Sequence, residues 1–222
     1  STRITYGVLN LSHRDSHAKP APLIPGQSFD ITLDLDHIAY RVPKGHRLRV
    51  AISSAYWPMI WPSPETAELT LHSGHLDLPV RPTATKAEHV FEPPTAAAPW
   101  QPEELRKGQN RREVTCDLAL GTVELRIEDD FGKVRDTDHG LIAGSRALEI
   151  WQLKPDDPTS ARGVISWTEE MERDDIRLRT ETSCEMWSDQ TTFYLSARLE
   201  AYENDTLIYE RDVSDAIPRD HM

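Results

Sequence analysis

The chain has 222 residues, 38% of them hydrophobic and 28% charged, and a formal net charge of -12 at pH 7. An acidic surface of this kind repels phosphate backbones and anionic lipid, which argues against nucleic acid and membranes as partners. No apolar run approaches the ~20 residues of a membrane helix, and the two cysteines, Cys116 and Cys184, form neither a disulfide framework nor a CxxC metal motif.

Residues 3–12 read as a strand, followed by a Pro-rich loop, Lys19 to Gly26. In "QSFDITLDLDHIAYRV", 27–42, Phe29, Ile31, Leu33 and Leu35 alternate with Asp30, Thr32, Asp34 and Asp36. That period of two predicts a half-buried strand. "PKGH" is a turn. "RLRVAISSA", 47–55, alternates again, "YWPMIWPSPE" is a loop broken by proline, and 67–73 and 76–82 are further strands. Residues 83–111, with "EPPTAAAPWQPEELRKGQN", predict a linker or covering loop with one helical turn at 102–107.

Strand patterns then return at intervals of roughly ten residues: 112–120, 122–130, 133–138, 145–154, 162–171, 174–186, 191–202 and 206–214. Asp-Asp-Phe-Gly, 129–132, and Glu-Asn-Asp, 203–205, read as hairpin turns between such runs. No long helix and no internal repeat is predicted. The chain is expected to be all-β: a sandwich portion over 1–82, the linker at 83–111, and an antiparallel meander over 112–222.

Searches for chemistry return little. The hydrolase elbow G-x-S-x-G, Walker A, G-x-G-x-x-G, H-E-x-x-H and the EF-hand loop are absent. Ser73, between His72 and His75, lacks the strand-to-helix turn and oxyanion hole that a nucleophile needs. His13, Asp15 and His17 offer metal-ligating types, but on a straight strand His13 and His17 stand about 13 Å apart, too far to share one ion. That segment is expected to be a strand end with its loop anchor. Asp129, Asp130, Asp136 and Asp138 offer Ca²⁺-ligating oxygens at no recognised spacing, and a solvated hairpin tip is the simpler reading. Trp57 and Trp61, beside Pro58 and Pro62, would stack on sugars if exposed and fill a core if buried. The binding or domain-interface candidates are His46, Arg47, Arg49, Tyr56, Trp57 and Trp61. No catalytic residue, no metal site and no cofactor is predicted.

Over "VPKGHRLRVAISSAYWPMIWPSPE", 42–65, the sequence resembles the C-terminal, non-catalytic domain of X-Pro dipeptidyl-peptidase and CocE/NonD-type serine hydrolases. The resemblance rests on Gly45, His46, Arg47, Leu48 and Arg49, then Ser53, Ser54 and Pro58, and extends upstream through "YGVLNLSHRDSH". It implies a jelly roll of galactose-binding-like fold in the first half. It also implies a catalytic α/β-hydrolase domain in the same parent chain, carrying a Ser-Asp-His triad and acting on esters, amides or Xaa-Pro bonds. None of that triad maps onto this chain. The family jelly roll has strands ahead of the position where this sequence starts, and the sequence starts without Met, so a fragment of a longer chain is expected. An open sheet edge follows, with pairing to a second copy or capping by the second half. A carbohydrate-binding module using Trp57, Trp61 or Trp100 is the alternative, and few cysteines with an acidic pI point to the cytoplasm.

Overall fold

The computed structural model describes residues 1–81 and 91–221. The expected linker at 83–111 therefore lies partly outside the described residues. Among the described residues, eight antiparallel strands form one sheet: β1 (Glu103–Arg106), β2 (Gln109–Asp117), β3 (Thr122–Arg135), β4 (Ile142–Lys154), β5 (Asp157–Arg173), β6 (Ile176–Ser188), β7 (Thr192–Glu203) and β8 (Thr206–Pro218). β3 to β8 follow one another as a meander. β1 and β2 share the outer edge of β3, β2 along Thr122–Asp130 and β1 along Lys133–Arg135. The chain is all-β and antiparallel. Among the described residues, no helix is long and apolar enough to cross a membrane.

Local chemistry explains the meander. Two-residue connections join β4 to β5 at Pro155-Asp156, β5 to β6 at Asp174-Asp175 and β7 to β8 at Asn204-Asp205. Asp156, Asp174, Asn204 and Asp205 all take positive φ, between 48° and 69°. Asn and Asp tolerate that region, and such turns carry the twist of a hairpin. The β2–β3 turn is held by Asp117, whose carboxylate accepts from the N–H groups of Ala119 and Leu120.

Two expectations are corrected here. Residues 129–132 do not form a hairpin tip: β3 runs through them with a bulge, because Gly132 takes φ +87° and donates its N–H to Asp130. Residues 103–106 are a strand, β1, and not a helical turn, because Arg106 is drawn across the sheet to Asp130, Glu170 and the carbonyl of Gly132.

In the first half the predicted strands are not joined in a ladder among the described residues. Alternation says which face of a segment is apolar, whereas a ladder also needs a second backbone ~4.8 Å away in register. The nearest approach is between 5–7 and 34–36. Asp36 donates its N–H to Tyr6 O at 3.0 Å, and a Cβ on Gly7 would stand 2.7 Å from the carbonyl of Asp34. The apolar stripe of 27–55 stays outside, with Ile31, Leu33, Val50 and Ile52 exposed.

Cross-strand pairing gives the sheet two unlike faces. One carries Val123, Leu125 and Ile127 of β3, Trp151 and Leu153 of β4, Ile165 and Trp167 of β5, Met186 of β6, Phe193, Leu195 and Leu199 of β7, and Val213 and Ile217 of β8. The other is ionic. Arg106 bridges Asp130 and Glu170, Lys133 bridges Glu170 and Glu172, Arg146 also reaches Asp130, and Arg198 holds Glu200, Glu210 and Asp212. Each face is only partly covered. The chain exposes 18276 Å², where a compact monomer of this mass exposes roughly 10,000 Å².

Burial pushes the carboxyls of Asp130 and Glu170 up, but their hydrogen bonds and attraction to the cations outweigh it and hold both below the usual carboxylate range. Their contribution to stability is present above the unfolded-state pKa of about 4 and is lost as pH falls through the lower folded values. Urea midpoints of the chain are expected to fall between about pH 5 and pH 3. Glu170→Gln should be destabilised at pH 7 and show a flatter fall. An unchanged slope in the variant would show that Glu170 does not carry this dependence.

Candidate docking site at the aromatic end of the sheet

The first and second halves meet at one end of the apolar face. The loop at 56–62, with a cis bond between Trp57 and Pro58, lays two indoles on the sheet. Trp57 meets Trp151 edge to face at 5.6 Å between centroids, Trp61 meets Phe193 at 6.1 Å, and the two indoles meet each other at 5.2 Å. Such edge-to-face pairs add to the burial of apolar area. The sheet makes room for them at Gly163. A Cβ there would stand 2.6 Å from the Trp151 ring, so only glycine lets Trp151 lie across β5.

A single guanidinium closes the contact. Arg219 follows β8 and is only 2% exposed. It donates to Ser188 Oγ at 3.0 Å, to the carbonyl of Asp189 at 3.1 Å and to the carbonyl of Pro62 at 2.7 Å. Its carbon lies 4.5 Å from the Phe193 ring centroid. Trp61 Nε1 donates to the same Ser188 hydroxyl at 3.1 Å. Burial lowers the Arg219 pKa, and attraction to Asp189 opposes this. Asp189 orders the adjoining β6–β7 turn. It accepts from the N–H groups of Thr191 and Thr192 and from the Tyr194 hydroxyl. The Thr191 N–H bond first, then Tyr194, bring its carboxyl down to about 2.

The sequence-derived candidates divide. Tyr56, Trp57 and Trp61 come together at this end, where the Tyr56 hydroxyl accepts from Arg3 at 2.9 Å. His46, Arg47 and Arg49 lie apart from it, exposed on and after the turn at Gly45, with the His46 N–H bonded to Pro43 O. Trp100 is 61% exposed and donates to Asp136. Arg219 and Ser188 were not foreseen. An arginine behind a proline and a serine at a strand end carry no local signal of burial.

The other chemical candidates are occupied structurally. Leu11–His13 is a 3-10 turn capped by Asn10, and not a straight strand, so the rings of His13 and His17 approach to 5.6 Å. Arg14 anchors this turn through the carbonyls of Leu11 and Ala21. Asp129 pairs with Arg112, and Asp136 caps the N–H of Asp138. Among the described residues, no group of three or more His, Cys, Asp or Glu is placed to hold a metal ion.

Residues 1–99 match the family described as the X-Pro dipeptidyl-peptidase C-terminal non-catalytic domain. A putative Xaa-Pro dipeptidyl-peptidase of Streptomyces avermitilis is 39% identical over 70 residues, which make up 32% of this chain and 10% of that relative. The aligned stretch therefore spans about a tenth of the relative's length. No solved structure matches the chain.

Arg219→Met removes the charged donor from Ser188 and from the carbonyls of Asp189 and Pro62. A loss of about 3 kcal/mol in urea unfolding is expected. Trp61→Phe keeps the ring contact and loses one bond, at about 1 kcal/mol. Gly163→Ala should displace Trp151 and cost about 2 kcal/mol. A shift in tryptophan emission would report that displacement, and wild-type emission and stability would contradict the packing described.

Proposed function

We propose, from the membership of residues 1–99 in the X-Pro dipeptidyl-peptidase C-terminal non-catalytic domain family, that the chain is the accessory part of an α/β-hydrolase-type serine hydrolase. In this reading a catalytic domain of the same parent polypeptide supplies the triad and cleaves ester, amide or Xaa-Pro peptide bonds through an acyl-enzyme. The chain described here positions and covers that domain. The family match over residues 1–99 is the observation that carries the reading.

Two structural features support it. The apolar face keeps Trp167, Met171, Leu178 and Leu195 accessible, as a surface built to meet another domain does. The strip at His46, Arg47 and Arg49 carries two guanidinium cations, Arg47 and Arg49, on a chain of net charge -12, and we assign it to contact with the catalytic domain. On this reading the segment 1–82 belongs to a jelly roll that the meander adjoins through the Arg219 contact. Exposed Cys116 and Cys184 thiols fit a reducing, cytoplasmic setting.

The test is the size of the native polypeptide. An antibody raised against this chain should detect, in an extract of the source cells, a band far above 25.3 kDa; a band at that mass overturns the reading. The purified chain should leave nitrophenyl esters and Xaa-Pro anilides intact. Titration with oligosaccharides should leave tryptophan fluorescence unchanged, because Trp57 and Trp61 are engaged with Trp151 and Phe193. Saturable quenching would favour the carbohydrate-binding module instead.

A further inference from the structure

Among the described residues the sheet ends in β8, an edge strand of 13 residues, all exposed. We propose that β8 pairs antiparallel with β8 of a second copy of this chain, about a two-fold axis at Val213.

The direction of the backbone groups fixes which residues can pair. Arg219 donates its N–H to Thr191 O at 2.8 Å, continuing the β7–β8 register. Hydrogen-bonded and non-bonded pairs alternate along an antiparallel ladder, so the odd-numbered residues from Tyr209 onward turn their N–H and C=O toward β7. Glu210, Asp212, Ser214 and Ala216 turn theirs outward. The Ala216 N–H shows this directly: it is bonded to the neighbouring Asp215 carboxylate at 2.8 Å, away from β7.

A two-fold antiparallel pair must place one residue opposite its own copy, and the side chains discriminate among the centres. A centre at Arg211 or at Asp212 puts like charges face to face. A centre at Ser214 sets Val213 against Asp215 and Arg211 against Ile217. A centre at Val213 sets Arg211 against Asp215 of the second copy twice, and Tyr209 against Ile217 twice, with Val213 on Val213 between them. All five of these positions lie on the apolar face of the sheet. Tyr209, Val213 and Ile217 are 50%, 49% and 41% exposed. Opposite charges and aromatic–β-branched pairs are the cross-strand combinations that stabilise a sheet.

The outward groups match in the same register. Asp212 faces Ser214 of the second copy and Glu210 faces Ala216, and all four residues offer free-edge backbone groups to the partner strand. On pairing, Asp215 leaves the Ala216 N–H for Arg211 of the second copy, and the Glu210 carbonyl takes that N–H. Pro218 has no N–H and closes the ladder. β2, the other edge, has nine residues, and β1 adjoins its N-terminal end on β3.

Sedimentation of the 222-residue chain over the micromolar range should give a dimer. Ser214→Pro removes one outward N–H without touching the β7 ladder. It should weaken the dimer about 100-fold with an unchanged far-ultraviolet spectrum. Arg211→Asp should also dissociate it, and adding Asp215→Arg should restore it. Val213→Cys, in a chain carrying Cys116→Ser and Cys184→Ser, should oxidise to a species of twice the mass, because opposed non-bonded residues bring their Cβ atoms to about 4.5–5.5 Å. A monomer at every concentration overturns the proposal. So does a dimer that survives Ser214→Pro and fails to cross-link at 213. Neither outcome bears on the hydrolase reading, which the size of the native polypeptide decides.

Discussion

The contact between the two halves of the described chain depends on one buried cation. Arg219 ties the end of β8 to the β6–β7 turn and to the loop at Pro62, 157 positions away in sequence. A guanidinium is suited to this because its planar fork offers several donors at fixed angles. Its partners include a hydroxyl and two carbonyls, and hydrogen bonds to them offset part of the cost of burial. The indoles of Trp57 and Trp61 are set on Trp151 and Phe193 around that fork.

The rest of the sheet is built economically. Turns of Asn and Asp at positive φ fix each hairpin, and the ionic face is stitched by Arg106, Lys133, Arg146 and Arg198. Ion pairs of this exposure contribute modestly one by one. Their shared members, Asp130 and Glu170 above all, make them a network. Among the described residues, the apolar face has no such closure beyond its aromatic end. A single sheet cannot bury both faces by itself, and a face of this size calls for a second layer.

The uncovered face supports the accessory role proposed above. The family that residues 1–99 match is described as non-catalytic, and the loop at 56–62 docks on the sheet through Trp57 and Trp61. The roles proposed above are accordingly those of contact residues: the indoles at the seam between the halves, the strip carrying Arg47 and Arg49 that we assign to the catalytic domain, and the β8 edge that we propose to pair with a copy of itself.

Much of the meander was legible in the sequence. Alternation located β4 to β8 to within a few residues, because a half-buried strand must alternate whatever it packs against. At 27–42 and 47–55 the pattern is strong and no ladder forms among the described residues, since pairing depends on a second backbone that the pattern does not name. The same rule mistook the bulge at Gly132 for a turn and β1 for a helix. By itself, then, the sequence determined strand period, turn chemistry and the likeness of the first half to a known family, all of which are local properties. Only the tertiary structure decided that Gly163 must be bare beneath Trp151, that Trp57 and Trp61 pack on the sheet, and that Arg219 is the buried link. Those facts arise from residues twelve to more than a hundred positions apart, and no periodicity in the sequence records them.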